Sequence, residues 1–455
     1  MRGKYLLGVK LAVIVFLCLS SQVQAFVGNI SKFQAPSPVN GDKYGRAVSI
    51  DGDTAVVCAA SGTTNYLYVY RLNGLDWQYE TTLTVPDTGV GLGLGETDRV
   101  CVVGDTIVVG VPGYSSSQGA VYVFKRTGTQ WNGPEILTAA DGSYYDQLGR
   151  VVAYDGNKIV AGAHYDDGYR GAVYVFSWNG TSWQEDQKLV AYDGESAADR
   201  GYPGTTYGDK LGTSVAIDGN TIVVGAQWDQ CQYAGNTFAG SAYVFGYNGT
   251  SWVEESKLED PDVSSDDHFG ISVSVSGETI IVGAWKRDSD IPGNNNSVGA
   301  VYVYEPDGTS WSRTAILQDP CNPDGSAFLG YDIEIEGDRI IAGAYMDADN
   351  GSRSGAVLLF ERKENSWSYV ERLASAVSTA YDYFGYSVAM DGDNVLVGSP
   401  NNYSSVPGKA YFIRYDGPNR PVANDQYVAA TQGVSEEITL TGIDQGAVVI
   451  FVKNL

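Results

Sequence analysis

GAVYVF occupies residues 119–124 and returns unchanged at residues 171–176; GAVYVY follows at residues 299–304. Looser copies complete a series of seven: NYLYVY from Asn65, GSAYVF from Gly240, GAVLLF from Gly355 and GKAYFI from Gly408. Their starts are 54, 52, 69, 59, 56 and 53 residues apart. A period of this size marks a solenoid, a propeller or an array of supersecondary units. The alternation within the hexapeptide is that of a strand, with Ala, Tyr and Phe on one face and the two Val on the other.

The register around each copy is tighter than the period. Seven residues beyond the first six copies stand Trp77, Trp131, Trp183, Trp252, Trp311 and Trp367. Six residues further stand Leu83, Leu137, Leu189, Leu258, Leu317 and Leu373, an even offset that predicts Trp and Leu on the same strand face. Eleven or twelve residues later an aromatic residue or Leu precedes Gly, as in Phe269-Gly270 and Phe384-Gly385. Unit four has a longer lead into Leu211-Gly212, and in unit two Leu94-Gly95 comes early. Asp-Gly turns then separate two apolar runs at Asp51-Gly52, Asp155-Gly156, Asp218-Gly219 and Asp391-Gly392, a strong hairpin signal because such turns need positive φ. Each unit thus reads as four strands: the FGxSVA-like run, the TIVVGA-like run, the hexapeptide, and the strand carrying Trp and Leu.

Seven four-stranded units have two faces each to bury, and a ring of blades buries both. The seventh copy lacks a Trp strand behind it. At the other end, Phe33 lies eleven residues before Tyr44-Gly45, where a strand-four Leu belongs, and Val27 stands six before it, where the Trp belongs. The expected fold is all-β: a seven-bladed β-propeller over residues 26–417, closed by the N-terminal strand.

Composition agrees. The 455 residues include 56 Gly and 32 Tyr with only 18% charged, a mix suited to short strands and tight turns, and no segment sustains a helical apolar period. Residues 1–25 read as a secretory signal, with Arg2, Lys4 and Lys10, an apolar run over residues 11–19 and a VQA end. That run is shorter than a membrane span, and no other is long enough, so the mature chain is expected to be secreted or surface-attached and without a transmembrane segment. Its net charge of −25, or −28 without the leader, disfavours nucleic acid and anionic lipid. Of five Cys, Cys18 leaves with the leader. Cys58 and Cys101 lie in strand patterns, and Cys231 and Cys321 in loops. Their disulfide state is open, and their spacing suits neither a disulfide framework nor zinc.

The pattern FG…VGA…GAVYVF…SW…L resembles the FG-GAP repeat of integrin alpha-subunit propellers and bacterial surface proteins. FG is literal in units five and seven, while LG or YG replaces it in one, three, four and six. The third letter of GAP survives as Val111-Pro112 and Ser399-Pro400. The resemblance implies calcium loops of DxDxDG form between strands one and two. Here those hairpins, as in IDGDT or YDGNK, are too short for converging oxygens, so no cofactor is expected. DADNG at residues 347–351 is closer in composition, which makes Asp347 and Asp349 the nearest metal candidates; a solvated acidic turn is the plainer reading. Residues 418–455 resemble the start of an Ig-like or cadherin-like module, as a truncated frame or as a short docked tail.

No GxSxG, HExxH, Walker A or dinucleotide motif exists; GLGLG at residues 91–95 lies between strands, and the chain has two His, His164 and His268. The leading expectation is a non-catalytic, monomeric binding or adhesion module for an extracellular protein or glycan. A polysaccharide-active enzyme and a structural spacer are the alternatives. Loops two-to-three and four-to-one share one face and vary in length, which marks a binding side. Right after the strand-two GA come His164-Tyr165, Gln227-Trp228, Trp285 and Tyr345, of which Tyr165, Trp228, Trp285 and Tyr345 are the candidate ligand-binding residues. Two readings of them stay open: ligand contact at the mouth of the ring, and packing against the next blade's loop.

Overall fold

Residues that alternate apolar and polar around tight turns form strands, and in every unit four of them pair antiparallel. The computed structural model describes residues 30–61, 64–86, 100–201, 207–230, 238–290, 296–308, 310–322, 325–374, 380–401 and 406–415. The expected leader, Val27, Leu94-Gly95 with the GLGLG run, Cys231 and residues 418–455 lie outside them. Blade three shows the plan: Val152–Tyr154, Lys158–Ala163, Ala172–Trp178 and Trp183–Leu189, hydrogen-bonded in that order. Blades one to six span 48–86, 100–137, 152–189, 214–258, 269–317 and 333–373.

Blade seven takes its fourth strand from the other end of the chain. Ile30–Phe33 pairs with Lys409–Arg414, placing Phe33 opposite Ala410. In blade three Leu189 stands opposite Val173, the same hexapeptide position. Phe33 therefore fills the Leu place, its ring 4.9 Å from Phe412 and 5.2 Å from Tyr70 of blade one. The protein is an all-β seven-bladed propeller closed by its N-terminal strand.

The apolar core is divided into seven, one cluster between each pair of neighbouring blades. Between blades two and three, Val121, Val123 and Leu137 meet Tyr174, Phe176 and Ala161. Between seven and one, Phe33, Ala410 and Phe412 meet Tyr44, Tyr70 and Trp77. The hexapeptide alternation holds: Ala120, Tyr122 and Phe124 face blade one, and Val121 and Val123 face blade three.

The shared face expected for Trp and Leu is corrected. Trp183 packs on the side of blade two and Leu189 on the side of blade four. The cause is a bulge: Val175 pairs with Gln187 and Phe176 with Glu185, so Asp186 is an extra residue. One added residue inverts the side-chain alternation beyond it. The other five Trp-bearing strands carry the same irregularity. Each of these six strands thereby serves both interblade cores.

Near the axis the blades touch through backbone. Gly149, at φ +79°, donates its N–H to Gly162 O of its own blade at 3.0 Å and lies against Gly110 and Ala120 of blade two. A Cβ on Gly149 would overlap the Ala120 carbonyl oxygen, and one on Gly110 would overlap that of Gly149. Gly45, Gly398 and Gly408 repeat the arrangement between blades seven and one. On the opposite face the hairpin acids link blades: Gly104 N–H donates to Asp51 at 2.7 Å, Gly52 N–H to Asp391 at 2.8 Å and Gly277 N–H to Asp218 at 2.6 Å.

Deleting the chain through Gln34 is expected to lower the melting temperature by about 10 °C or more, because it bares the third strand of blade seven; an unchanged melt would show that this strand does not hold the seam. Gly149→Ala is expected to cost about 3 kcal/mol in urea denaturation, combining left-handed strain with overlap. Gly104→Ala, equally left-handed at φ +56° but with nothing within 4 Å of the new methyl, is expected to cost about 1 kcal/mol.

Candidate functional site at the mouth of the ring

Three register positions of the blade supply the loop face around the axis. The first is the pair of residues after strand two, with Trp285 and Tyr345 at its first place and Tyr165 and Trp228 at its second. The second lies two residues before the FG-type Gly: Lys43, Gln147, Lys210, His268, Phe328 and Tyr383, all non-glycine residues with φ between 50° and 60°. The third follows that Gly: Arg46, Arg150, Thr213, Ile271, Tyr331 and Tyr386. Left-handed backbone is costly outside glycine and persists where surrounding bonds enforce it. Here the second-position N–H groups donate to the two-to-three loop of the preceding blade: Gln147 to Ser117 O at 3.0 Å, Lys210 to Tyr169 O at 2.9 Å and Tyr383 to Arg353 O at 3.1 Å.

All four aromatic candidates come together in one arc. Tyr165 stacks on Tyr145 at 5.4 Å and lies under Lys210, whose Nζ is 5.6 Å from its ring and 3.5 Å from that of Trp228. The arc runs from Trp228 to His268 at 6.1 Å and on to Trp285 at 5.8 Å. From Trp285 it passes to Tyr331 at 5.6 Å, and Tyr331 meets Tyr345 at 4.6 Å and Tyr386 at 5.2 Å. Arg46 sits over Tyr386 at 5.6 Å. The four candidates are half-buried, so each ring packs on a neighbouring blade's loop and also keeps exposed surface.

A charged clasp fixes the base of each aromatic. The third residue after strand two is Asp166, Asp229, Arg287 or Asp347. Tyr174 OH lies 2.7 Å from Asp166, which pairs with Lys188 at 2.9 Å. Tyr243 OH lies 2.9 Å from Asp229, which pairs with Lys257 at 2.7 Å. Burial and the adjoining carboxylates push both phenols far above their ordinary pKa. Blade five reverses the charge, and Arg287 Nε donates to Tyr302 OH at 3.0 Å. Buried Arg200, paired with Asp209, donates to the Trp228 carbonyl at 2.9 Å. Asp347 and Asp349, the nearest metal candidates, both turn onto the Arg372 guanidinium, Asp349 at 2.8 Å.

Sequence reasoning found the aromatics but missed the basic groups between them. Arg46, Lys210 and Lys286 have no carboxylate within ion-pair distance among the described residues. Lys286 Nζ donates to His268 Nε2 at 3.1 Å, which leaves Nδ1–H to donate to Gln227 O at 3.3 Å. Burial, then Lys286, holds His268 down at about 4, so it is neutral at pH 7. The Nε of Arg46 and the Nε1 of Trp285 are buried without an acceptor among the described residues. A partial signal was present: Arg46 and Arg150 both follow the FG-type Gly, and Lys43 and Lys210 both stand two residues before it, whereas Lys286 has no counterpart in the other blades.

A ring of antiparallel four-stranded blades with its variable loops gathered on one face defines the β-propeller class. FG-GAP repeats match residues 131–176, 203–245, 252–304, 311–360 and 367–413, just over half of the sequence, and the chain belongs to the FG-GAP repeat family. Four of these matches begin at a strand-four Trp, so the family unit straddles two blades, in the same frame that puts Phe33 into blade seven. No curated protein matches the chain. Among the described residues no helix is long and apolar enough to cross a membrane.

Lys210 is 6% exposed, and burial followed by Arg150 lowers its pKa to about 8. The folded value lies below the unfolded one of about 10.4, so its charge costs stability at pH 7, and that cost fades as pH rises from about 8 past 10. Lys210→Met is expected to stabilise the protein by about 1 kcal/mol at pH 7, with the gain gone near pH 10. Thermal melts at both pH values test this; a loss at pH 7 would show that the contact with Trp228 outweighs desolvation.

Proposed function

We infer that this propeller is a secreted or surface-exposed binding module that holds an extracellular protein or glycan on its loop face without catalysis. The observation that carries the reading is the continuous arc from Tyr165 through Trp228 and Trp285 to Tyr345, anchored by clasps at the base and half exposed at the rim. Aromatic rings held on strand ends give large contact area at little cost in side-chain freedom, the usual property of binding hot spots. The leader-like residues 1–25 support an extracellular setting.

Carboxylates of this face are turned onto backbone N–H groups of their own or the adjoining loop, which favours binding over chemistry. Asp42 accepts from Tyr44 N–H at 3.1 Å and Gly408 N–H at 2.9 Å, and Asp146 from Ser143 N–H at 2.6 Å. A polysaccharide-active enzyme is the second reading. It would draw on Asp267, which burial lifts to about 6, yet that residue is 2% exposed and accepts from Ser264 N–H at 2.7 Å.

The test is a screen of the purified protein against extracellular polysaccharides and proteins, followed by Trp228→Ala and Trp285→Ala on the ligand found. Each is expected to weaken binding by about thirtyfold, the loss of roughly 2 kcal/mol at a hot spot. Melts run in parallel separate this from a packing role, which would lower stability and leave the affinity of the folded fraction unchanged.

A further inference from the structure

Within a chain of net charge −25 the mouth of the ring is basic. Arg46 and Arg150 lie close enough to repel one another, and Arg150 likewise depresses Lys210. Lys43, next to Arg46, is lowered by burial and then by Arg46. Thirteen other described Lys and Arg residues have carboxylate partners, including Arg71, Arg170, Arg313 and Arg372. Arg46, Lys210 and Lys286 at the mouth have none within ion-pair distance among the described residues and lie instead against Tyr386, Trp228 and His268. Lys210 also carries a desolvation penalty that no carboxylate offsets. The donors Arg46 Nε and Trp285 Nε1 lack acceptors among the described residues.

The cations are spread unevenly around the aromatic arc, on Tyr165 and Trp228 at one side and at Tyr386 on the other. Trp285, Phe328, Tyr331, Tyr345 and Tyr386 make one arc almost wholly aromatic, from blades five to seven. Arg46, Arg150 and Lys210 lie in blades one, three and four, and Lys286 marks the boundary. A ligand matching both halves carries a ring with an apolar face and an anionic, acceptor-rich group. An acidic peptide without aromatic residues has the second but not the first; a sugar ring, whose C–H face is apolar, has both when it bears a carboxylate or sulfate. At physiological ionic strength the Debye length of about 8 Å screens the acidic periphery, while contacts at the mouth keep their strength.

The geometry points to an acidic saccharide as the ligand, its carboxylate or sulfate held by Arg46, Lys210 and Lys286 and its ring stacked on Trp285, Tyr331 or Tyr345. This rests on the loop face being a binding site and adds the ligand class.

The experiment measures binding of the whole protein to polygalacturonate, dextran sulfate, neutral dextran and polyglutamate, with Arg46→Gln and Lys286→Met as variants and melts to confirm folding. Binding of polygalacturonate or dextran sulfate, weakened about tenfold by either variant, supports the proposal. Which of the two binds more tightly tells a carboxylate source from a sulfate one. Dextran binding as tightly as the charged probes, or affinities unchanged in both variants, overturns it and leaves a neutral-glycan module standing. Polyglutamate binding equal to that of the saccharides, with the same dependence on Arg46, overturns the saccharide class. If no acidic probe binds, the proposal falls, and the broader screen then decides separately whether the face binds anything.

Discussion

Backbone meets backbone where two blades touch, and a side chain as small as a methyl would hold them apart. Gly110, Gly119 and Gly149 bring strand two of one blade against the entry of the next, and the hexapeptide glycine forms a parallel bridge with the residue before the FG-type Gly. This close approach sets the angle between blades and therefore how many complete the circle. It also fixes how far each entry loop reaches toward the axis. The left-handed residues two places earlier follow from it, because their N–H groups must meet carbonyls of the neighbouring loop. The mouth is a by-product of blade packing before it is a site.

Outward from that contact the structure relies on apolar burial, and at its two faces on charge. The bulge in strand four lets one strand feed two cores, with Trp on one side and Leu on the other. On one face the hairpin acids accept backbone protons from the next blade. On the other, a tyrosine, a carboxylate and a cation close the loops of blades three and four. Each clasp leaves its neighbouring aromatic with a fixed base and an open rim. Rigidity there lowers the ordering cost of binding, which is the main thermodynamic advantage of a site built on strand ends.

Blade number, strand order and ring closure were legible in the sequence because all three depend on register, and register is written residue by residue. Phe33 was placed by counting alone and lands opposite Ala410. The faces of Trp and Leu were not legible: a bulge adds a residue without leaving any mark in a count of six. Tyr165, Trp228, Trp285 and Tyr345 were legible through their place after GA. Arg46, Lys210 and Lys286 were not, since an isolated cation near a turn reads as solvated surface until the ring brings several together. The clasps were not read from the sequence at all, and in blade five Arg287 takes the place of the Asp, so the charge inverts.

The seam of blade seven has a consequence in time. Phe33 and Ala410 are neighbours in the sheet but stand at opposite ends of the described chain. A ribosome adding about 5–20 residues per second needs on the order of 20–80 s to make the intervening chain. Throughout that interval the first strand has no partner, and once blade seven forms its outer edge is open until that strand arrives. Late closure by so distant a contact is entropically slow, and an unpaired edge is a template for pairing with another chain. Nascent copies held close together are therefore most exposed to exchanging first strands during this window, each lending its own to the other's seventh blade.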